Sequence, residues 1–371
     1  MSHTSPFEGS ILLVAEPLNP GGIAVYTRSI LSGLRQANIR HRLITSVRPS
    51  EGALLTEEQS NIDVVQGLFW SVWRPFIFRK LVAWAREHDP VIIHGLSALA
   101  APICAQLSKA LGIPFVVTVH HFQKPGALRS EEGCHAFIAV SESLRENLVN
   151  DARIPRELVR LIPGGISVPK ELRARPAEYN RGEAVPLISS FGKLIPRKDY
   201  PTFLKAARLV IDRLGPQNSF VILGEGPDEP SLRKLARELK IDKQVTFCDT
   251  TAAVEPIFRD TDVYVQCSKQ EGFGTMVLQA MAHGVPVVTT AAGGILSLVR
   301  DGETGFVVPI GDHEALAGRI CNLLTDPTLA ARIGDAARQM AVENYDLDAM
   351  MSSTLALYSE AVSEDMKITK T

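Results

Sequence analysis

The residues best suited to chemistry lie between Glu271 and Thr290, in the stretch EGFGTMVLQAMAHGVPVVTT. After two glycines around Phe273 the apolar spacing becomes helical at Thr275, and Gly284 ends that helix. We expect Thr275 to be the N-cap, so that the first turn presents unpaired backbone N–H groups and the positive end of the helix dipole. A helix start of this kind is suited to bind a phosphate group.

Two polar side chains lie beside that helix start. Glu271 precedes it, and Gln279 comes four residues after Thr275, so that Gln279 faces the same way one turn further on. A carboxylate and an amide beside a phosphate position suit a ligand that carries both phosphate and hydroxyl groups. The alternative is a buried turn between a strand and a helix, as found in any α/β protein.

Cationic side chains follow a second predicted strand, Leu187 to Phe191. Lys193 comes just after this strand, and Lys198 stands before the next helical pattern. Two ammonium groups on one loop neutralise a pyrophosphate, although lysines in loops are often simply solvated. Asp260 and Asp262 invite a metal interpretation, but we expect them to be the polar end of a helix and predict no metal site.

The first half of the chain shows the same order of strand, glycine and helix. Gly21 and Gly22 separate the apolar run Ile11 to Ala15 from a helical pattern, and glycines let a backbone approach a phosphate closely. A purely conformational role for these glycines is the alternative. His120 ends the strand Phe115 to Val119, which places it at the carboxyl edge where open α/β sheets bind ligands. The alternative is that His120 is only a hydrogen-bonded polar group at a sheet edge.

All of these loops connect a strand to a helix, and repeated strand–helix pairs predict parallel, doubly wound sheets. A length of 371 residues suggests two domains. The polar stretch Pro169 to Gly182 lacks apolar periodicity and is typical of a hinge. We therefore predict an α/β protein with a first domain over residues 1–170 and a second over residues 183–345.

The composition excludes several functional classes. A net charge of −2 gives no reason to expect nucleic-acid binding. The five cysteines include no C-x-x-C pair, so they indicate neither a disulfide framework nor a zinc site and fit a reducing, cytoplasmic compartment. The sequence shows no signal-peptide pattern and no uncharged run near the ~18 residues that a membrane-spanning helix needs.

A different pattern occupies the stretch from Phe69 to Arg86. Apolar side chains, among them Trp70 and Trp73, alternate there with basic ones such as Arg79. We expect a helix that packs one side on the core and leaves its basic side in water. The alternative is a face that touches a membrane surface or a lipid acceptor.

The ordered set of motifs resembles the retaining, two-domain nucleotide-sugar glycosyltransferases of family four, which have the GT-B fold. Besides the Gly21-Gly22 loop and His120, the matching segments are ISSFGKLIPRKDYPTFLKAA, VILGEGPDEPSLRKLARELKIDKQVTF, and EGFGTMVLQAMAHGVPVVTTAAGG continuing into DGETGFVV, and they span nearly the whole chain. The resemblance implies two Rossmann-like domains that face each other across a cleft, with a nucleoside diphosphate sugar held mainly by the second. It also implies that a last helix, within residues 346–371, crosses back towards the first domain.

The resemblance implies roles for individual residues as well. Lys193 and Lys198 would hold the donor diphosphate, Glu271 would lie near the transferred sugar, and His120 would orient that sugar by a hydrogen bond. The implied catalytic residues are His120, Glu271 and Lys198. The implied donor-binding residues are Gly21, Gly22, Lys193, Lys198, Gly272, Phe273, Gly274, Thr275 and Gln279.

Three positions depart from the pattern of the family. Lys193 stands where arginine is usual, Gln279 stands where a carboxylate accepts two ribose hydroxyls, and Ser297 stands where glutamate is frequent. An amide offers one acceptor oxygen, so we expect Gln279 to cost about 1–2 kcal/mol of donor binding unless its N–H groups donate in return.

The function implied by the resemblance is transfer of a sugar, with retention, from a nucleoside diphosphate to a hydroxyl group of a lipid-linked or polysaccharide precursor. No metal or other cofactor is implied, and the setting is the cytoplasm, with peripheral contact at the inner face of the membrane as an option. The three departures leave a second function open, which is a catalytically reduced protein of the same fold that serves as a binding or scaffold partner. A sugar-nucleotide epimerase or a phosphorylase on the same fold is a third.

Overall fold

The chain divides into two compact units in a computed structural model that describes residues 8–18, 21–49, 61–69, 74–167, 185–249 and 254–368. Unit 1 contains Met1–Gly165 together with Leu347–Thr371, and unit 2 contains Ile166–Asp346. The predicted hinge Pro169 to Gly182 and the side chains of Trp70 and Trp73 lie outside the described residues.

Unit 1 is built on a parallel sheet of seven strands. The strands are β1 (Ser10–Ala15), β2 (His41–Thr45), β3 (Ile62–Val64), β4 (Pro90–Gly95), β5 (Phe115–Val119), β6 (Cys134–Ala139) and β7 (Val159–Leu161), in the spatial order β3-β2-β1-β4-β5-β6-β7. The first helices of the chain are α1 (Gly22–Gln36), α2 (Arg74–Glu87), α3 (Ala101–Leu111) and α4 (Glu142–Glu146), and a π-helical turn, Asn147–Asp151, continues α4.

The apolar runs of the sequence form the central strands of this sheet. Every residue of β1 and of β5 is buried, because helices cover both faces of a doubly wound parallel sheet. Strand order reverses between β1 and β4, so the loops that follow these two strands diverge and leave a crevice at the carboxyl edge.

Unit 2 is built on a parallel sheet of six strands. The strands are β8 (Leu187–Phe191), β9 (Ser219–Leu223), β10 (Val245–Cys248), β11 (Val263–Gln266), β12 (Val287–Thr290) and β13 (Phe306–Val308), in the spatial order β10-β9-β8-β11-β12-β13. Its helices are α5 (Tyr200–Leu214), α6 (Glu229–Glu238), α7 (Val254–Asp260), α8 (Thr275–Ala282), α9 (His313–Thr325) and α10 (Pro327–Asn344).

The last helix, α11 (Leu347–Ile368), is the longest and belongs to unit 1. Its apolar side packs against α1, where Gly33 leaves room for the side chain of Met351. A Cβ atom at Gly33 would lie 2.3 Å from Met351 Cγ, so this position needs glycine for the close approach of the two helices. Tyr358 is fully buried on the same helix.

The predicted fold class, with two parallel doubly wound α/β sheets, is confirmed by the two sheets and their strand orders. Strands β5 and β8 begin and end at the predicted residues, and β1 begins one residue before the predicted Ile11. Within the described ranges, no helix combines the length and the apolar character needed to cross a membrane.

Candidate functional site

The strand order of unit 2 reverses between β8 and β11. These strands are parallel neighbours, so the loops that follow them leave the sheet at the same carboxyl edge and diverge there. The first loop carries Lys198 in a short 3₁₀ turn, Pro196–Lys198, and the second carries Glu271 just before α8. The topology thus brings together two candidate residues that are far apart in sequence.

Lys198 and Glu271 form an ion pair at this edge. Lys198 Nζ lies 2.5 Å from Glu271 Oε2, and only 13% and 11% of the two side chains are exposed. Burial raises the pKa of Glu271, but the charge and hydrogen bond of Lys198, with smaller contributions from Arg197 and Ser268, bring it below its ordinary value of 4.5. Glu271 is therefore a carboxylate at neutral pH and an acceptor only.

A line of buried hydrogen bonds holds Glu271 in place. The Tyr264 hydroxyl donates to Gln266 Oε1 at 2.9 Å, and Gln266 Nε2 donates to Ser268 Oγ at 2.9 Å. The Ser268 hydroxyl then donates to Glu271 Oε2 at 3.0 Å. Tyr264, Gln266 and Ser268 alternate along β11 and its extension, so a polar residue at every second position of an otherwise apolar strand was the sequence signal for this line.

The loop after β8 is tied to the loop after β11 by its backbone. Lys269 N–H donates to the Arg197 carbonyl at 2.8 Å, and this contact places the Arg197 side chain close enough for its charge to lower the pKa of Glu271. Arg197 is a third cation at the site that the residue assignment from the sequence did not include. Lys193, the other predicted cation, is exposed on the same loop.

Two glycines of the loop after β9 allow a close backbone contact with the lysine loop. A Cβ atom at Gly224 would lie 2.0 Å from the Gly192 carbonyl oxygen, and one at Gly226 would lie 2.3 Å from that of Leu194. The contact is held by hydrogen bonds such as Leu194 N–H to the Glu225 carbonyl at 2.8 Å. The Gly224-Glu225-Gly226 turn therefore positions the loop that carries Lys193.

The start of α8 differs from the prediction in one respect. Gly274 is the N-cap, with a φ of 97°, and Thr275 is the first helical residue, so the prediction that Thr275 caps the helix is wrong. The left-handed backbone at residue 274 suits glycine and shifts the cap back by one residue. The helix start itself lies where it was expected, beside Glu271, and none of the side chains that the structure describes caps its first-turn N–H groups.

Gly294 brings a further segment against this helix start. Its N–H donates to the Glu271 carbonyl at 2.8 Å, and a Cβ atom at this residue would lie 2.0 Å from the Gly272 carbonyl oxygen. The buried Phe273 ring meets the Tyr345 ring edge-on, and the Tyr345 hydroxyl donates to the Ser297 carbonyl at 2.7 Å. The exposed Ser297 hydroxyl donates to the Gly294 carbonyl.

Gln279 lies one turn into α8 and is half-buried. Its side-chain amide makes no hydrogen bond to any other residue that the structure describes, whereas its backbone carbonyl is within 2.8 Å of His283 Nδ1. An amide in this position has both its donor and its acceptor available to a ligand.

Unit 1 contains the remaining predicted residues. Gly21 is the N-cap of α1, with a φ of 147°, and no side chain within the described ranges caps the helix there. Gly22 is the first helical residue. A Cβ atom built at Gly21 would have no neighbour within 4 Å among the described residues outside its own chain neighbours, so the start of α1 is open to the described part of the chain on that side.

His120 directly follows β5 at the carboxyl edge of the sheet of unit 1. Its Nε2 lies 3.1 Å from the Leu96 carbonyl, which fixes the proton on Nε2 and leaves Nδ1 as an acceptor. Burial and the nearby His121 lower the pKa of His120 to about 3, although the hydrogen bond to Leu96 raises it. The ring is therefore neutral near pH 7 and too weakly basic to remove a proton from a hydroxyl group.

Of the two acidic residues before β11, Asp262 is engaged in the sheet. Asp262 Oδ2 accepts the Leu187 N–H at 2.9 Å and so joins β11 to β8, while Asp260 is the last residue of α7. Among the residues described, no three side chains of the metal-binding types come together as ligands.

Family comparisons cover most of the chain. The profile described as "Glycosyl transferases group 1" matches residues 173–340, and the one described as "Glycosyltransferase Family 4" matches residues 20–169. The first contains Lys193, Lys198 and Glu271, and the second contains His120.

Two relatives match over long alignments. The GDP-mannose-dependent alpha-(1-6)-phosphatidylinositol monomannoside mannosyltransferase of Mycolicibacterium smegmatis is 32% identical in an alignment of 303 residues that covers 73% of this chain and 77% of that protein. The D-inositol 3-phosphate glycosyltransferase of Corynebacterium efficiens is 27% identical over 98% of this chain and 95% of its own length.

A solved structure shares the fold. The Anabaena protein HepE, crystallised with UDP and glucose, superposes with a TM-score of 0.83 and 21% sequence identity, over 95% of this chain and all of that one. At this level of sequence identity the similarity shows a shared fold and no more.

Proposed function

Because this chain belongs to the family-4-type glycosyltransferases of the GT-B fold and is therefore a glycosyltransferase, we propose that it takes a sugar from a nucleoside diphosphate and retains its anomeric configuration. The observation that carries this proposal is the Lys198–Glu271 pair at the switch point of unit 2, beside the uncapped start of α8. A cation, a carboxylate and free N–H groups at one sheet edge match the charges and hydroxyls of a nucleotide sugar.

The donor diphosphate and Glu271 compete for the ammonium group of Lys198. When a phosphate oxygen takes Lys198, the Glu271 carboxylate is free to accept a hydrogen bond from a hydroxyl of the sugar. Ser268 and its hydrogen-bonded neighbours keep that carboxylate in place during the exchange, because Ser268 donates to the same oxygen that Lys198 contacts. The exchange links donor binding to the release of Glu271 for the sugar.

In the reaction the hydroxyl oxygen of the acceptor forms a bond to the anomeric carbon while the bond from that carbon to the diphosphate oxygen breaks on the same face. The acceptor proton passes to an oxygen of the departing diphosphate. Negative charge grows on the diphosphate, and Lys198, Lys193, Arg197 and the dipole of α8 stabilise it. These groups perform the task that a divalent cation performs in other transferases, so the proposal includes no metal and no other cofactor.

We assign the residues of unit 1 supporting roles. His120 Nδ1 accepts a hydrogen bond from a hydroxyl of the sugar, because its other ring nitrogen is committed to Leu96. The backbone at Gly21 and Gly22 contacts a phosphate oxygen through the open start of α1. The acceptor we propose is a carbohydrate or lipid-linked hydroxyl compound.

A screen of transfer and hydrolysis with UDP-glucose and GDP-mannose as donor probes tests this function. The anomeric configuration of the product is read from its NMR coupling constants. A product with the α-linkage of the donor supports retention, and an inverted product overturns it. The alternative of a catalytically reduced binding or scaffold protein, raised by Lys193, Gln279 and Ser297, predicts that neither probe is turned over, and absence of nucleoside diphosphate binding in titration calorimetry would favour it.

The first prediction concerns Gln279. Replacement Gln279→Glu supplies a second acceptor oxygen for the ribose hydroxyls, so we expect UDP or GDP to bind about tenfold more tightly. Titration calorimetry measures the effect, and the 2′-deoxy nucleotide is the control, because it lacks one of the two hydroxyls. An equal gain for the ribose and deoxyribose forms would show that Gln279 does not contact the ribose.

The second prediction concerns membrane contact through α2, which we propose as the peripheral site of a cytoplasmic enzyme. Phe76 is 74% exposed, and the exposed Lys80 lies one turn from it with Arg79 beside it. Charge reversal of both cations, Arg79→Glu with Lys80→Glu, is expected to lower partitioning onto phosphatidylserine vesicles at least about tenfold at low salt. Vesicle sedimentation measures this change.

The matched control for that experiment reverses two exposed cations on α6 of unit 2, Lys234→Glu with Arg237→Glu. The net charge changes by the same amount, so a purely global electrostatic effect lowers binding equally in both variants. Equal losses of vesicle binding in the two variants would show that α2 is not a specific membrane contact. Absence of vesicle binding by the native protein would overturn the membrane proposal.

A further inference from the structure

Four buried polar side chains form a hydrogen-bonded line through unit 1. The Tyr358 hydroxyl on α11 lies 2.5 Å from Nδ1 of His94 on β4, and Nε2 of His94 lies 2.8 Å from Oγ1 of Thr118 on β5. The Tyr26 hydroxyl on α1 lies 3.0 Å from the same Thr118 oxygen. All four side chains are almost completely excluded from solvent, and the line joins α11 to α1 through residues of β4 and β5.

Each member of the line depends on its neighbours. Burial, with a smaller contribution from His120, lowers the pKa of His94 to about 3, so its ring is neutral and has one N–H donor and one acceptor nitrogen. Both nitrogens are used, one by Tyr358 and one by Thr118. A buried polar group that loses its partner is costly, so removal of one hydroxyl is expected to shift the remaining groups towards new contacts.

His120 lies at the end of this line. The ring of Tyr26 meets the ring of His120 edge-on, with 4.7 Å between the centroids and 71° between the planes. The Leu96 carbonyl that accepts from His120 comes two residues after His94, and His120 itself comes two residues after Thr118. The ring contact with Tyr26 and the hydrogen bond to the Leu96 carbonyl therefore both involve residues that belong to the line or lie two residues from one of its members in sequence.

The anchoring of α11 does not itself require a polar group at residue 358. Met350, Met351, Leu357 and Ala361 are buried on the same helix and supply apolar contacts to unit 1. A phenylalanine at residue 358 would keep nearly the same volume without the hydroxyl. The hydroxyl is thus a polar feature of an apolar interface, with His94 as its partner.

We propose that Tyr358 is a positioning residue for His120, acting through His94, Thr118 and Tyr26. The C-terminal helix then influences the orientation of a ring that lies at the carboxyl edge of the sheet and touches Tyr26 of α1. This assignment rests on the proposed function only where it concerns catalysis, because the orientation of the ring is observable without any substrate.

The test compares Tyr358→Phe with Thr354→Val in the full-length protein. Thr354 is the matched control, because it is a fully buried hydroxyl residue on the same helix whose hydroxyl donates to the Met350 carbonyl of its own helix and to no other residue in the described part of the chain. Carbon–proton NMR spectra of protein labelled at histidine follow the His120 ring, which is identified by the resonance that His120→Gln removes. We expect the His120 ring resonances to shift or broaden in Tyr358→Phe and to stay in place in Thr354→Val.

Unchanged His120 resonances in Tyr358→Phe, or equal changes in both variants, would overturn the proposal. If Tyr358→Phe fails to fold by circular dichroism, Tyr26→Phe is measured instead, because it removes the hydroxyl at the other end and keeps the ring that touches His120. The same change of the His120 resonances is expected.

An activity measurement separates this inference from the proposed function. With UDP-glucose and GDP-mannose as donor probes, we expect Tyr358→Phe to lower kcat about tenfold, because misplacement of a contact group reduces the rate of the chemical step, and to leave KM nearly unchanged. Altered His120 resonances with a native kcat would retain Tyr358 as a positioning residue and would instead remove His120 from the reaction.

Discussion

Replacement of Lys198 by alanine is expected to lower kcat/KM for sugar transfer by at least about 100-fold and to leave the fold intact. The ammonium group is the most deeply placed cation at the switch point of unit 2, with only 13% of its side chain exposed, so water does not take over its task. A preorganised group that stabilises the charge of the leaving group in a partly dry site contributes about 10²–10³ in rate. Initial rates with UDP-glucose and GDP-mannose measure the loss.

The control for this variant is Lys234→Ala. Lys234 is an exposed lysine of unit 2 whose ion pair with Glu238 lies on the surface of α6, so the same charge is removed from the same unit. We expect its kcat/KM to stay within about twofold of the native value. Transfer by Lys198→Ala at the native rate would remove Lys198 from the catalytic residues and with it the proposed exchange between phosphate and Glu271.

Breaking the Lys198–Glu271 pair from one side is expected to destabilise the protein more than removing both charges. Lys198→Met leaves the Glu271 carboxylate buried without its cation, and we expect the free energy of unfolding to fall by about 3 kcal/mol at neutral pH. The double variant Lys198→Met with Glu271→Gln carries no buried charge and keeps an acceptor for Ser268. Its stability is expected to return to within about 1 kcal/mol of the native protein, while kcat/KM for transfer stays at least about 100-fold lower.

The dependence on pH distinguishes this explanation from a loss of packing. In the native protein the pKa of Glu271 is below 4.5, so its contribution to stability is present above that pH and is lost as the pH falls through the folded-state pKa. In Lys198→Met only the smaller contributions of Arg197 and Ser268 still oppose burial, so the pKa of Glu271 is higher than in the native protein and protonation stabilises the variant relative to the native protein as the pH falls. Urea unfolding followed by circular dichroism should therefore show a gap between the two proteins that is smaller at about pH 4 than at neutral pH.

The exposed pair Lys234–Glu238 again supplies the control. Because both of its side chains are more than half exposed, Lys234→Met is expected to change stability by less than about 0.5 kcal/mol at either pH. A gap between the native protein and Lys198→Met that does not change with pH would show that lost packing, and not an uncompensated carboxylate, causes the destabilisation.

Local patterns in the sequence were sufficient to predict the helices and strands and to identify the candidate residues of each loop. The apolar runs around Leu12, Val117 and Ile188 became central strands, and the glycines before α1 and α8 became helix starts. The error at Thr275 has a local cause that the sequence contains only indirectly, because Gly274 adopts a left-handed backbone and takes the N-cap position itself. Side-chain type alone favoured the threonine.

Local sequence patterns could not predict contacts between residues that are distant in sequence. Nothing near Lys198 indicates that Glu271 is its ion-pair partner, because the contact depends on the order in which β8 and β11 enter the sheet. The same holds for Tyr358 and His94, which come from the last helix and from β4. Arg197 was visible as a loop cation, but its place beside Glu271 follows from the backbone contact of Lys269.

The measurement that tests the central claim most directly is titration calorimetry of the native protein and Lys198→Ala with UDP and GDP. The claim is that the carboxyl edge of unit 2 binds a nucleoside diphosphate through Lys198. We expect one of the two nucleotides to bind the native protein with one site per chain, and we expect Lys198→Ala to bind it at least about tenfold more weakly. Equal affinity in the two proteins, or no binding of either nucleotide to the native protein, would contradict the claim.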